Sequence, residues 1–235
     1  MIELHQFPKL GDVPNSSPFC MKLESYLIAQ KIPYQNFYSA DLRRSPTGKM
    51  PYIKKQDQFY SDSSFIIDLL EKESSAPMQQ SLTALEKSQT LAYQRLCEEH
   101  LYWALVYSRW VDVSTDNNWR SIVQEGTKLP KLLFGMIFKV MSKNAFRQTY
   151  EQGLGRLTKA QIYQKADDDL CALSEFLGQK NYFFNESPSL LDHIVYAVVA
   201  NIEHTPWQSQ LKQQLTKYPN LQAHSARMLK QVFGK

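Results

Sequence analysis

Glycine is scarce in this chain: there are 8 in 235 residues, and none forms a Gly-rich loop. A backbone cradle for nucleotide phosphates needs such a loop, so nucleotide binding is not expected. Cysteine is scarcer still. Three cysteines, an odd number at wide spacing, speak against a disulfide framework and fit a reducing compartment, so a cytoplasmic location is expected. His100, His193 and the other histidines lack metal-ligand spacing, and no metal site is expected. A long hydrophobic run is also missing. The most apolar stretch, Leu129 to Met141, is broken by Pro130, Lys131 and Lys139, and it falls short of the ~20 residues a spanning helix needs. Because Leu132 to Met141 is apolar almost all round, it reads as a buried central helix, and membrane contact is not expected. Met1-Ile2-Glu3-Leu4 has neither a basic start nor an apolar h-region, so no secretory signal is read. No block of one charge stands out either. The net charge of +4 is spread over interspersed acids and bases, which reads as a solvated mixed surface and not a nucleic-acid patch. No internal repeat or low-complexity tract is evident.

What is present is enough apolar material, 43% of residues, to build a real core. Ile2 to Phe7 alternates in character and is bounded by Pro8 and Gly11, as a short strand is. Ser17-Pro18 reads as a helix start, a Ser cap with Pro at the first helical position. An apolar stripe follows at Leu23, Tyr26, Leu27 and Ile32. Pro33 to Tyr38 reads as a second strand, and the charged connection Ser39 to Ser45 as a poorly formed helix at best. Pro51 to Lys55 and Gln58 to Tyr60 give two more strands. A helix from Ser63 to about Lys72 ends this part of the chain.

Ser74-Ser75-Ala76-Pro77 reads as a linker. Beyond Thr83 the period becomes helical: one long candidate from Leu85 to Val113, a short one from Trp119 to Gly126, and an amphipathic one from Lys159 to Leu177 with Gly178 as its stop. Ser189-Leu190-Leu191-Asp192 fits a capping box ahead of an apolar run. Its hydrophobic staple is poor, because Pro188 and His193 hold the two positions. Asp192 therefore reads as a folding residue. Two domains are expected, residues 1–76 and 83–235.

The stretch Ser45-Pro46-Thr47-Gly48-Lys49-Met50-Pro51-Tyr52-Ile53 reads as the organising point of the first half. A turn is expected at Gly48, with a strand after it. The Met50-Pro51 bond is open to the cis form, which would leave the Met50 main chain facing outward as a binding edge. Further on, Asp62-Ser63 leads into a helix whose N-terminus offers hydroxyls, a carboxylate and free N–H groups. In isolation Asp62 and Ser63 read rather as helix caps, the commonest role of Asp and Ser at a helix start.

Gly48-Lys49-Met50-Pro51 followed by Asp62-Ser63 resembles the N-terminal domain of glutathione transferases, a thioredoxin-like fold. Ser17-Pro18-Phe19-Cys20, Gly48-Lys49-Met50-Pro51-Tyr52-Ile53 and Asp62-Ser63-Ser64 are similar to patterns of its failed-axon-connections and metaxin branch. The resemblance covers nearly the whole chain. It implies a glutathione-transferase fold, a thioredoxin-like domain followed by an all-α domain. It also implies that Lys49, Met50 and Pro51 lie along the cysteinyl backbone of glutathione. Ser63 would hold the γ-glutamyl carboxylate and Asp62 would face the ammonium. Arg43, Arg44 and Lys49 are candidates for the glycyl carboxylate.

Ser17 stands where a thioredoxin-like Cys-x-x-Cys site has its first cysteine. The attacking thiol of dithiol chemistry is therefore absent, and Ser17 looks like the activating serine of serine-type transferases. Cys20 is a possible thiol in the first helical turn, or else a small buried hydrophobe. Trp103 and Tyr107 are candidates for the wall of an apolar electrophile pocket, with core packing as the alternative. The expected activity is binding of glutathione and activation of its thiol for addition to a small electrophile, in a possible homodimer. The alternative is a non-catalytic binding protein on the same fold. Gln152 to Arg156 carries no chemistry beyond a turn before a helix.

Overall fold

The computed structural model describes residues 1–10, 13–39, 42–114, 117–127, 129–184 and 186–234. The first part is a four-stranded sheet with two helices. Strand β1 is Ile2–Gln6, α1 is Pro18–Ala29, β2 is Tyr34–Tyr38, β3 is Tyr52–Lys55, β4 is Gln58–Ser61 and α2 is Ser63–Glu73. The sheet order is β2-β1-β3-β4. β1 runs parallel to β2 and antiparallel to β3, and β3 and β4 form an antiparallel pair. Residues 40 and 41 of the charged connection lie outside the described residues. From Leu42 to Ser45 the chain makes a turn, closed by Ser45 N–H on Leu42 O at 3.0 Å, in place of the weak helix expected there.

The described residues form ten α-helices in all, with a π-helical segment and a 3₁₀ turn. After α2 come α3 (Ala84–Arg95), a π-helical segment (Leu96–Leu101) and α4 (Tyr102–Trp110). These three are continuous, as the long period from Leu85 implies, but the π-helical register has no counterpart in the sequence reading. Next are α5 (Trp119–Thr127), α6 (Lys131–Gln152), a 3₁₀ turn (Leu154–Arg156), α7 (Lys159–Leu177), α8 (Leu190–Glu203), α9 (Gln210–Leu215) and α10 (Pro219–Phe233). The last two were not read from the sequence. Ser74 Oγ accepts the Ala76 N–H within the linker at 3.1 Å, and just after it Glu71 accepts from Met78 N–H at 2.9 Å and from Gln79 N–H at 3.0 Å.

The central helix is α8, in which every residue from Leu190 to Ile202 is buried. It packs on α1 and α10. Asp192 begins it as expected: its Oδ2 accepts the Ser189 N–H at 2.8 Å and the Ser189 hydroxyl at 2.7 Å. Its Oδ1 takes the Phe183 N–H at 3.1 Å and faces His224 Nε2 at 2.9 Å. His193 does not staple the helix to its own lead-in segment. It lies against α1 instead, with Nδ1 at 3.0 Å from Ser25 Oγ.

The expectation for Leu132 to Met141 is corrected. These residues form the first half of α6, on the surface, where Leu132, Leu133, Met136, Ile137, Val140 and Met141 are between 39% and 81% exposed. Only Phe134, Ala145 and Thr149 of α6 are buried. An all-round apolar pattern names no inward face, and the slot at the centre is already filled by α8.

Candidate functional site

Strand register gathers the candidate residues at one end of the sheet. His5 at the C-terminal end of β1 pairs with Tyr52 at the start of β3, and Tyr52 pairs with Ser61 at the end of β4. The three connections leaving that end carry Ser17, Met50-Pro51 and Asp62-Ser63. The N-termini of α1 and α2 therefore begin on the same side of the sheet, both with their positive dipole ends there.

Ser17 caps α1 with extended backbone, and its Oγ accepts the Cys20 N–H at 3.4 Å. A hydroxyl that accepts keeps its proton to donate. The loop before it is fastened from several sides. Asn15, fully buried, accepts the Ser17 N–H at 2.9 Å and donates to Phe7 O at 2.6 Å. The Asn15 carbonyl accepts from Asn201 Nδ2 of α8 at 3.1 Å, and the Ser16 carbonyl accepts from Arg109 Nη1 of α4 at 2.7 Å.

Arg109 is a buried cation with neutral acceptors. Its Nη2 donates to Asn201 O at 2.8 Å, Asn201 Oδ1 at 3.0 Å and Thr205 Oγ1 at 3.3 Å, and its guanidinium lies 4.5 Å from the Trp119 ring. Burial pulls its pKa down to about 9.

Cys20 is resolved as the buried hydrophobe. It is fully buried in a cluster with Met50 and Tyr52, and burial pushes its thiol up to about 12. That is opposite to the depressed value a reactive thiol needs.

At the second connection, Met50-Pro51 is cis and Gly48 takes φ +67, as the turn requires. Ser45, buried, donates to Lys49 O at 2.7 Å and accepts the Lys49 N–H at 3.1 Å, which fixes the chain leading into Met50. The Lys49 side chain is exposed, while Met50 and Pro51 are buried. Arg43 and Arg44 line a groove of ≈ 590 Å³ with Phe37, Tyr38 and Tyr52.

At the third, Asp62 has φ +70 and ψ 118, and its Oδ1 accepts from Ser64 N–H at 2.9 Å and Phe65 N–H at 3.3 Å. Its exposed carboxylate is thus tied to the helix as a cap by one oxygen, a role the sequence left open beside the ligand-facing one. Ser63 is buried as the first residue of α2.

Next to it lies a polar cluster that sequence reasoning missed. Lys22 Nζ is 2.5 Å from Glu98 Oε1 and 2.9 Å from Ser64 Oγ. Gln94 Nε2 donates to Ser64 Oγ at 2.6 Å and to Glu98 Oε2 at 2.9 Å. Lys22 and Glu98 are both buried, so this is an ion pair between α1 and the π-helical segment, with Ser64 beside the α2 N-terminus as its third member. The available signal was a lysine and a glutamate placed among the apolar residues Cys20, Leu23, Cys97 and Leu101.

Trp103 and Tyr107 are half-buried and belong to the packing of the helical half. Tyr107 meets Tyr163 of α7 edge-on at 6.1 Å, and Trp103 meets Tyr102 at 5.4 Å. The α4 residues that touch the Ser17 turn are Tyr102, edge-on to Phe19 at 4.8 Å, and Arg109, seven positions on and so on nearly the same helix face.

Comparisons with known proteins agree with this layout. The glutathione S-transferase N-terminal domain family matches residues 18–117, and the glutathione S-transferase C-terminal domain family matches residues 166–228. The chain is 29% identical to the Failed axon connections protein of Drosophila melanogaster over 99% of its own length and 58% of that protein's, so it spans little more than half of that relative. It is 29% identical to the isoprene-epoxide–glutathione S-transferase of Rhodococcus sp. (strain AD45), covering 98% of this chain and 99% of that one. It is 28% identical to metaxin-2 of Mus musculus, over 80% of this chain and 72% of the other. Among solved structures, a glutathione S-transferase of Methylobacterium radiotolerans in complex with glutathione sulfonate superposes with a TM-score of 0.64 at 16% identity, over 97% and 90% of the two chains. A β-etherase of Sphingobium sp. strain SYK-6 gives 0.66 at 13% identity, over 99% and 98%. With both domain families matched in order, and with relatives of the Failed axon connections and metaxin kind, the chain belongs to the glutathione S-transferase superfamily.

Proposed function

We propose that this protein binds glutathione at the end of the sheet where the N-termini of α1 and α2 and the Met50 main chain meet. It activates the bound thiol at Ser17 for addition to a small apolar electrophile. The observation that carries this reading is the register that brings Ser17, Met50-Pro51 and Asp62-Ser63 to one edge. In this reading Ser63 and the α2 N-terminus take the γ-glutamyl carboxylate, and the main chain of Met50 pairs with the cysteinyl unit. The thiol proton passes to solvent and the Ser17 hydroxyl donates to the thiolate; with an epoxide, the thiolate forms the S–C bond as the ring C–O bond breaks, and the freed oxygen takes a proton from solvent. A relative that is an isoprene-epoxide–glutathione S-transferase makes a small epoxide the first electrophile to try.

A second reading, binding without turnover, is favoured by one observation. The cleft lined by Phe19, Tyr102, Ile194 and Val198 has a volume of only ≈ 10 Å³, too little for an electrophile without movement. Thermal melting with glutathione tests the shared premise. A ligand selective for the folded state stabilises by about 2.7 kcal/mol at a hundredfold excess over Kd. A melting temperature that does not move in millimolar glutathione refutes both readings. If it rises, conjugation of an epoxide decides between them: turnover supports the enzyme, and its absence with binding intact supports the second. Ser63→Ala is expected to weaken binding by roughly 1.5–3 kcal/mol, the worth of a hydrogen bond to a charged acceptor, as read by titration calorimetry.

A further inference from the structure

The first three turns of α6 are apolar on the outside. Leu132, Leu133, Met136, Ile137, Val140 and Met141 are all exposed, and none of them is aromatic. Along the same outward side, later in the helix, stand Lys143 and Arg147, with Lys139 on its margin. The helix bears Lys131, Lys139, Lys143 and Arg147 against one carboxylate, Glu151, which Arg147 pairs at 3.9 Å. Beside it, Arg120, Lys131 and Lys139 rim a groove of ≈ 540 Å³ floored by Leu132, Met136 and Phe138. No helix among the described residues is long and apolar enough to cross a membrane.

An exposed apolar face needs an occupant, and the charges select it. A second copy of this chain meeting it face to face would set one helix with four cations and one carboxylate against another, and like net charge opposes contact. A protein partner is a poor match for a different reason. Lysine is depleted at protein interfaces, and here Lys131, Lys139 and Lys143 flank the aliphatic face, while the exposed aromatics Phe146 and Tyr150 lie only in the later half of the helix. Flexible aliphatic side chains flanked by lysines suit an anionic lipid surface. The aliphatic groups enter the boundary between headgroups and acyl chains, and the ammonium groups stay with the phosphates. From this geometry we infer that α6 is a membrane-surface helix that seats the protein on anionic bilayers, with Leu132, Met136 and Val140 inserted and Lys131, Lys139 and Lys143 at the headgroups. This proposal departs from the sequence expectation of no membrane contact.

Co-sedimentation of the whole protein with extruded vesicles tests this. Vesicles of phosphatidylcholine with about one third phosphatidylglycerol are expected to carry it down, and pure phosphatidylcholine to leave most of it in solution. At about 1 M salt, where the Debye length is ~3 Å, binding is expected to fall about tenfold. Leu132→Glu/Met136→Glu/Val140→Glu is expected to abolish binding. Because all three side chains are exposed, its melting temperature and glutathione response stay near wild type. Lys139→Glu/Lys143→Glu is expected to weaken binding about tenfold or more, whereas Lys87→Glu/Lys230→Glu, the same charge change elsewhere, does little. The proposal is overturned if anionic vesicles carry down no protein, if the triple variant still binds, or if the distant charge reversal weakens binding as much as the local one. It is equally overturned if ultracentrifugation shows a dimer that the triple variant dissociates while vesicles bind nothing; the face would then join copies.

Discussion

Ser17 is at once a helix cap, the first atom group beyond a tethered loop and the candidate donor to sulfur. Ser17→Ala is expected to bind glutathione nearly as wild type but to shift appearance of the bound thiolate toward the free-thiol value near pH 8.5, followed by ultraviolet absorbance. Urea melts should show a loss of about 1 kcal/mol from the missing cap. Cys20→Ala should leave the thiolate titration where it was. A second residue-scale prediction concerns His193. Ser25 Oγ donates to Lys22 O at 2.9 Å, so the proton between Ser25 and His193 sits on His193 Nδ1, and Nε2 is a buried, unpartnered lone pair. Burial lowers the His193 pKa to about 4, with Asp192 and His224 as charged neighbours of opposite effect. The unfolded chain takes up that proton first, near pH 6.5. Stability from this group is therefore complete above pH 6.5 and is lost as pH falls toward 4, by roughly 3 kcal/mol at the low end. Melting of wild type and His193→Asn across that window checks it; the variant starts lower and slopes less.

These two residues also show what was legible. Ser17 was readable because a cap and its Pro are neighbours in sequence. Met50-Pro51 and Asp62-Ser63 were readable because their spacing is that of a known family. The groups that hold Ser17 in place were not. Arg109 and Asn201 lie more than ninety positions from the loop they fasten, and nothing local in either sequence points to it.

At the scale of elements, short-range signals served well and inward faces did not. Caps and stops gave α1, α2, α7 and α8. The direction of α6 was misread because burial of a helix is decided by which helix occupies the centre, a question its own period does not answer. The π-helical segment is a further case. Its wider ladder, with Tyr102 N–H bonding Cys97 O, sits where Glu98 meets Lys22. Glu98 and Lys22 form a pair removed from water, so breaking it is costly while replacing it whole is not. Lys22→Met, which strands the carboxylate, is expected to destabilise by about 3–5 kcal/mol in urea unfolding. Lys22→Met/Glu98→Leu is expected to lie within ~1–2 kcal/mol of wild type. If the double variant is as unstable as the single, the pair contributes more than its own desolvation.

At the scale of the molecule, the two parts share one core. Ile2, Leu4 and Ile53 of the sheet belong to the same contiguous cluster as Leu170, Ile194 and Leu211 of the helices. A single coincident unfolding transition by fluorescence and circular dichroism is expected. Residues 1–76 expressed alone should fail to fold stably, because the α1 face that meets α8 would be bare. The tie from Arg109 to the Ser16 carbonyl carries a consequence for ancestry as well. The shape of the Ser17 loop is written partly in the other half of the chain, so the halves are poor units of exchange. A recombinant joining the sheet of this protein to the helices of a relative inherits a loop without its anchor unless residues equivalent to Arg109 and Asn201 come with it. Lineages of this fold should therefore change those positions together with Asn15 and Ser16 or not at all. In a laboratory chimera lacking them, thiolate formation should fail while the sheet remains intact, and restoring the arginine and asparagine together should bring it back.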